Sequence, residues 1–159
     1  MAKGIGNGYP LAAVVTTPEI AKALTKASHF NTFGGNPVAC AVGISVLDII
    51  EEEKLQENSK TVGTHFLLEL AKLRSVFPVI GDVRGKGLMI GVEMVKPGTK
   101  EPLQPNKFLK FFDTCMNLGI LLGKGGAYGN IIRVQPPMCI TNEDVDFTVS
   151  VMKQALQEL

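Results

Sequence analysis

The sequence predicts a mixed α/β chain in which a short opening segment precedes a small α+β domain. Three observations lead there. From residue 53 onward the hydrophobic repeat alternates between helical and strand periods in the order αββαββα, which builds a helix-covered, largely antiparallel sheet. Before that point a glycine-rich start, a β-branched run and one long apolar helix read as part of another layer. Between the two lies the acidic bend "EEEK", Glu51 to Lys54, and it places the division between residues 1–52 and 53–159.

Each element has a local reason. "PLAAVVTT" is short, apolar and β-branched, as a buried strand is. Thr17-Pro18-Glu19 then supplies a capping hydroxyl, a first-turn proline and an acid at the positive helix end, for a helix that fades near Ser28. "HFNTFGGNP" is a loop, broken by Gly34-Gly35 and Asn36-Pro37. Asn36 caps the next helix, whose apolar residues Val38, Val42, Val46, Leu47, Ile49 and Ile50 surround it and predict burial between layers. Leu55 to Leu73 is amphipathic. Strand-like runs follow at Val79–Val83 and Leu88–Val95, then the loop "KPGTKEPLQP" and a helix over Asn106–Leu118. "GILLGKG" and "IIRVQPP" read as two more strands, and Thr141 with Asp144 as the capping box of a last helix.

Composition narrows the function. With 159 residues, 45% hydrophobic and 19% charged, the chain is ordinary globular material. A formal net charge of +1 gives no overall field for nucleic acid or anionic lipid, so neither is an expected partner. No apolar run approaches the ~20 residues of a bilayer span. Two histidines and the scattered Cys40, Cys115 and Cys139 offer no metal-site spacing; the unpaired cysteines suit a reducing compartment or the mitochondrial matrix. No leader precedes the opening residues, so the compartment is not legible directly.

Three residues carry candidate chemistry. Lys3, in "MAKGIGNGYP", is either a solvated charge or an amine that neighbouring glycines leave accessible; a desolvated amine forms a Schiff base with a carbonyl. Thr32, in "FNTFGGNP", either closes a turn or joins a helix N-terminus in holding an anion such as phosphate. Arg133, in "NIIRVQPP", is a cation within an apolar strand. It calls for a partner, either a structural carboxylate or a ligand's carboxylate held by two parallel hydrogen bonds. Arg84, beside Asp82, reads as structural, and no metal site is expected.

Four segments, "MAKGIGNGYPLAAVVTT", "HFNTFGGNPVACAVGISVLDII", "IGDVRGKGLMIGVEMV" and "IIRVQPPMCIT", in this order and spacing, resemble the C-terminal portion of class III aminotransferases. These are pyridoxal-phosphate enzymes of fold type I, and the wording lies nearest their mitochondrial alanine–glyoxylate branch. The resemblance implies that residues 1–52 end the large cofactor-binding domain and include an interdomain helix. Residues 53–159 would be the small C-terminal domain. It implies pyridoxal 5'-phosphate as cofactor, held by Lys3 through a Schiff base, with Lys3 then moving the proton. Thr32 would donate its hydroxyl to the cofactor phosphate of a neighbouring subunit, in a homodimer or higher oligomer. Arg133 would grip the substrate α-carboxylate.

The implied reaction is ping-pong transfer of an amino group from alanine, or a related donor, to glyoxylate or another 2-oxo acid. By the same resemblance Met1 lies inside a longer, mitochondrial protein whose earlier part completes the cofactor site, and the chain alone is expected to be inactive. Within the fold, a phospho-lyase and an ornithine- or 4-aminobutyrate-type aminotransferase are the alternatives; Arg133, suited to an α-carboxylate, favours transamination over phosphate elimination. From another class, the alternative is a non-catalytic fragment or interaction module.

Overall fold

The computed structural model describes residues 1–2, 4–27 and 29–159, and Lys3 and Ser28 lie outside the described residues. Its contacts cluster in two units, Met1–Lys54 and Leu55–Leu159.

In the first unit, a single 3-10 turn at Gly4–Gly6 is continued by left-handed backbone at Asn7 (φ 44°) and Gly8 (φ 100°), which folds the chain back on itself. The return is held by an antiparallel bridge between Ala2 and Ala12 and by the Ala13 N–H donating to the Met1 carbonyl at 2.8 Å. The expected buried strand over "PLAAVVTT" does not form beyond that bridge, and Val14 and Val15 are each 83% exposed. A strand needs a neighbour for its backbone groups, and among the described residues the run finds one only at Ala12 and Ala13. Helix α1 (Pro18–Leu24) starts on the Thr17 cap as expected and stops sooner than expected.

Helix α2 (Pro37–Glu52) begins where Asn36 Oδ1 accepts from the Ala39 N–H at 2.9 Å. It runs two residues into the expected acidic bend, which the left-handed Lys54 (φ 50°) completes. Burial of its apolar circumference is the expectation that fails within this chain. Only Ala39 and Gly43 are buried, while Val38, Ile44 and Leu47 are each more than half exposed. Apolar periodicity marks a surface for covering, and within this chain those three side chains face solvent.

The second unit follows the expected αββαββα order: α3 (Leu55–Val76), β1 (Ile80–Lys86), β2 (Met89–Met94), α4 (Pro105–Asn117), β3 (Gly123–Gly125), β4 (Ile131–Val134) and α5 (Asn142–Gln157). The four strands form one antiparallel sheet in the order β1-β2-β4-β3. Its inward residues Ile90, Val92, Met94, Ile132 and Val134 join Phe66 and Leu70 of α3, Phe108 and Phe111 of α4, and Val145 and Met152 of α5 in one core. Cys115 is fully buried in that core, and desolvation pushes its thiol up to about 11, so it packs as a small apolar group rather than serving as a nucleophile. The capping box at Thr141 and Asp144 is present at the start of α5.

Helix α3 meets the β1–β2 hairpin backbone to backbone. A Cβ on Gly63 would stand 2.3 Å from the carbonyl carbon and oxygen of Gly87, itself left-handed at φ 56°. Gly63→Ala is therefore expected to destabilise this unit by about 1–3 kcal/mol, the usual cost of forcing atoms into a packed interior. Denaturant unfolding of the wild type and variant measures it, and equal midpoints would contradict it.

Candidate active site

Thr32 belongs to the first unit and Arg133 to the second, while Lys3, the third candidate, lies outside the described residues. The glycine segment that follows Lys3 nevertheless has a definite setting. Asn7, Gly8 and Tyr9 wall one side of an open concavity of about 720 Å³, and Asn31, Phe33 and Gly34 wall the other. The start of the chain and the turn before α2 thus meet around one hollow.

Thr32 is exposed on that turn. The turn is closed by its neighbours. Asn31 Oδ1 accepts from the Phe33 N–H at 3.1 Å, Asn36 Nδ2 donates to the Phe33 carbonyl at 2.8 Å, and Gly35 takes a left-handed φ of 69°. Among the described residues the hydrogen bonds that shape the turn come from the two asparagines, so the hydroxyl of Thr32 is not what holds it. The positive end of α2 follows directly, at the Asn36 cap.

Arg133 sits differently from the sequence expectation. Strand alternation turns Ile132 and Val134 into the core and Arg133 to the opposite, solvent-facing side of the sheet. It is not a charge among buried aliphatics, because successive side chains of a strand point to opposite faces. Its cross-strand neighbours are Gly91 on β2 and Gly123 on β3, so no side chain flanks it in its own row. Among the described residues the ion pairs do not include it. Arg133 also lines a cleft of about 360 Å³ with Leu121, Leu122, Gln135 and Pro136.

Arg84 makes the contrast. It donates to Asp82 at 2.8 Å and to Glu93 at 2.7 Å, and those bonds, Asp82 first, raise its pKa above the ordinary arginine value. Its binding capacity is directed into the sheet's own surface. Sequence patterning does not single out Gly91 or Gly123 beside Arg133, since the pairing that brings them there spans up to 42 residues between Gly91 and Arg133. The available local signal is the glycine within the β3 run, which marks close approach of another group.

Solved transaminases share this helix-backed antiparallel sheet, and with them it is the C-terminal part of the pyridoxal-phosphate transferase fold, type I. The chain matches the family model "Aminotransferase class-III" over residues 1–156. It belongs to the class III aminotransferase family. It is 56% identical over 160 aligned residues to the mitochondrial alanine–glyoxylate aminotransferase 2 of Pongo abelii, covering 99% of this chain and 31% of that protein. The structure resembles a Bacillus anthracis aminotransferase (TM-score 0.92, 37% identity, 100% of this chain and 38% of that one). It also resembles an amine transaminase from an uncultivated Pseudomonas species, solved in its pyridoxal-phosphate-bound form (TM-score 0.88, 35% identity, 99% and 37%). The chain therefore spans about a third of the length of the proteins it matches.

Proposed function

We propose that this chain is the C-terminal part of a pyridoxal-phosphate aminotransferase that moves an amino group from alanine, or a related donor, to glyoxylate or another 2-oxo acid. The observation that carries it is Arg133: an exposed guanidinium, flanked by glycines on both strands and outside the described ion pairs, in a chain of this family. A planar fork with open donors matches a carboxylate, which both substrates of the reaction bear. The same fork also fits the phosphate of a phospho-lyase substrate, so the choice of transamination rests on the α-carboxylate that both of its substrates carry and on the turnover assay below.

The residues present fit the cofactor where they can be described. The Thr32 hydroxyl is exposed ahead of the positive end of α2, on a turn that Asn31 and Asn36 hold without it, which suits a phosphate arriving from outside this unit. In this reading the phosphate is the one bound by a neighbouring subunit, and the enzyme is a homodimer or higher oligomer. Pyridoxal phosphate, when bound, supplies the electron sink for the substrate's α-carbon. Lys3 would hold the cofactor and, as a free amine, would take up the proton from that carbon. Arg133 fixes the α-carboxylate so that the carbon is presented in one orientation. Residues 1–52 end the large domain and 53–159 form the small one. The enzyme works in mitochondria in this reading, which the name of the Pongo abelii relative supports.

A chimera tests the reading: residues 1–159 replace the matched third of the Pongo abelii relative. The chimera is expected to bind pyridoxal phosphate and to convert alanine and glyoxylate to pyruvate and glycine, while the isolated 159-residue polypeptide shows no turnover. A folded, cofactor-loaded chimera without alanine-dependent turnover would overturn the assigned reaction. Turnover by the isolated polypeptide would overturn its dependence on the rest of the enzyme.

A further inference from the structure

We propose that Gly123 is a positioning residue: its bare Cα is the seat on which the Arg133 guanidinium rests and from which it is aimed at a substrate carboxylate. The inference deepens the reading of Arg133 given above and rests on it. Arg133 lies between two glycines, and the two are not equivalent. A Cβ on Gly91 would meet Ile131 Cγ2 at 3.4 Å and the Arg84 carbonyl oxygen at 4.0 Å, and no atom of Arg133. A Cβ on Gly123 would stand 3.1 Å from Arg133 Nε, 3.0 Å from its carbonyl oxygen and 3.5 Å from its Cβ. The arginine therefore leans across β3, with Nε resting where any other residue would begin its side chain.

The torsions of Gly123 do not call for glycine: it is not among the left-handed glycines, and it pairs with Arg133 in the antiparallel ladder. What glycine provides is space, beside the Arg133 carbonyl oxygen and under Nε. That nitrogen is one of the donors with which a guanidinium forks onto a carboxylate, so a shift of the side chain turns the whole plane. Gly123 and Arg133 also both line the cleft described above.

The test measures KM and kcat for alanine in the full-length holoenzyme carrying Gly123→Ala, Gly123→Val, Arg133→Ala and the Gly123→Val, Arg133→Ala pair. Gly123→Ala is expected to raise KM about tenfold and Gly123→Val about a hundredfold, the scale of a misplacement near 1 Å. In the Arg133→Ala background Gly123→Val is expected to add nothing, because it acts through the arginine. Gly125→Ala is the control, since its Cβ would meet Arg133 Cβ at an ordinary 3.9 Å, and it leaves KM unchanged. If Gly123→Val costs as much without Arg133 as with it, the effect is a general weakening of the sheet and the proposal fails. If Arg133→Ala raises KM and both Gly123 variants do not, positioning fails while the role of Arg133 stands. If Arg133→Ala itself leaves KM unchanged, both fall together.

Discussion

Lys3→Ala in the full-length holoenzyme is expected to abolish covalent attachment of the cofactor and to lower turnover by at least about 10²–10⁴-fold, the usual contribution of a positioned proton-transfer group. The chain around this residue supports the assignment by its construction. Immediately after Lys3 come a 3-10 turn and two left-handed residues, and Cβ atoms added at Gly4 or Gly8 would meet nothing within 4 Å. A backbone bent this tightly and this bare leaves room for a group to approach an amine. Two measurements separate loss of the base from loss of binding. The absorbance of lysine-attached cofactor should vanish while non-covalent binding persists. Added small primary amines should restore part of the rate, since they replace the missing proton carrier but not a misfolded site. A variant that keeps the attached-cofactor absorbance would remove Lys3 from the mechanism.

Arg133→Ala is the second large effect, an expected loss of about 10²–10⁴ in kcat/KM for alanine. Hydrogen bonds to a charged group contribute about 1.5–3 kcal/mol each, and a forked guanidinium makes two. Arg133→Lys should recover only part of that loss: it keeps the charge and discards the planar fork. The sheet itself should be unaffected, because Arg133 faces away from the core and takes part in none of the described ion pairs. Thermal unfolding of the variant near that of the wild type, with the kinetic loss present, is the expected combination. A kinetic loss matched by a fall in stability would assign Arg133 to the fold instead.

The second unit is largely legible from its residues, for a physical reason. Its long helices and β2 each bury one face, so periods of 3.6 and two residues are written into α3, α4, α5 and β2, and its last helix is announced by the Thr141–Asp144 box. The first unit is less legible. "PLAAVVTT" has the composition of a strand and only one bridge in which to be one. The apolar circumference of α2 predicts a covered helix, and Val38, Ile44 and Leu47 remain exposed in this chain. Burial in both cases depends on what lies against the segment, which its own residues do not encode.

The same division runs through the site. By itself the sequence determined the chemical types available, an amine among glycines, a hydroxyl before a helix and a guanidinium in a strand, and the order of motifs that marks the family. Tertiary structure alone decided which way Arg133 faces and what lies beside it. Those depend on hydrogen-bond register between β2, β4 and β3, which aligns Gly91, Arg133 and Gly123 in one row. Register is set by pairing between distant segments, where a slip of one residue would turn the arginine into the core and leave the glycines beside an aliphatic side chain.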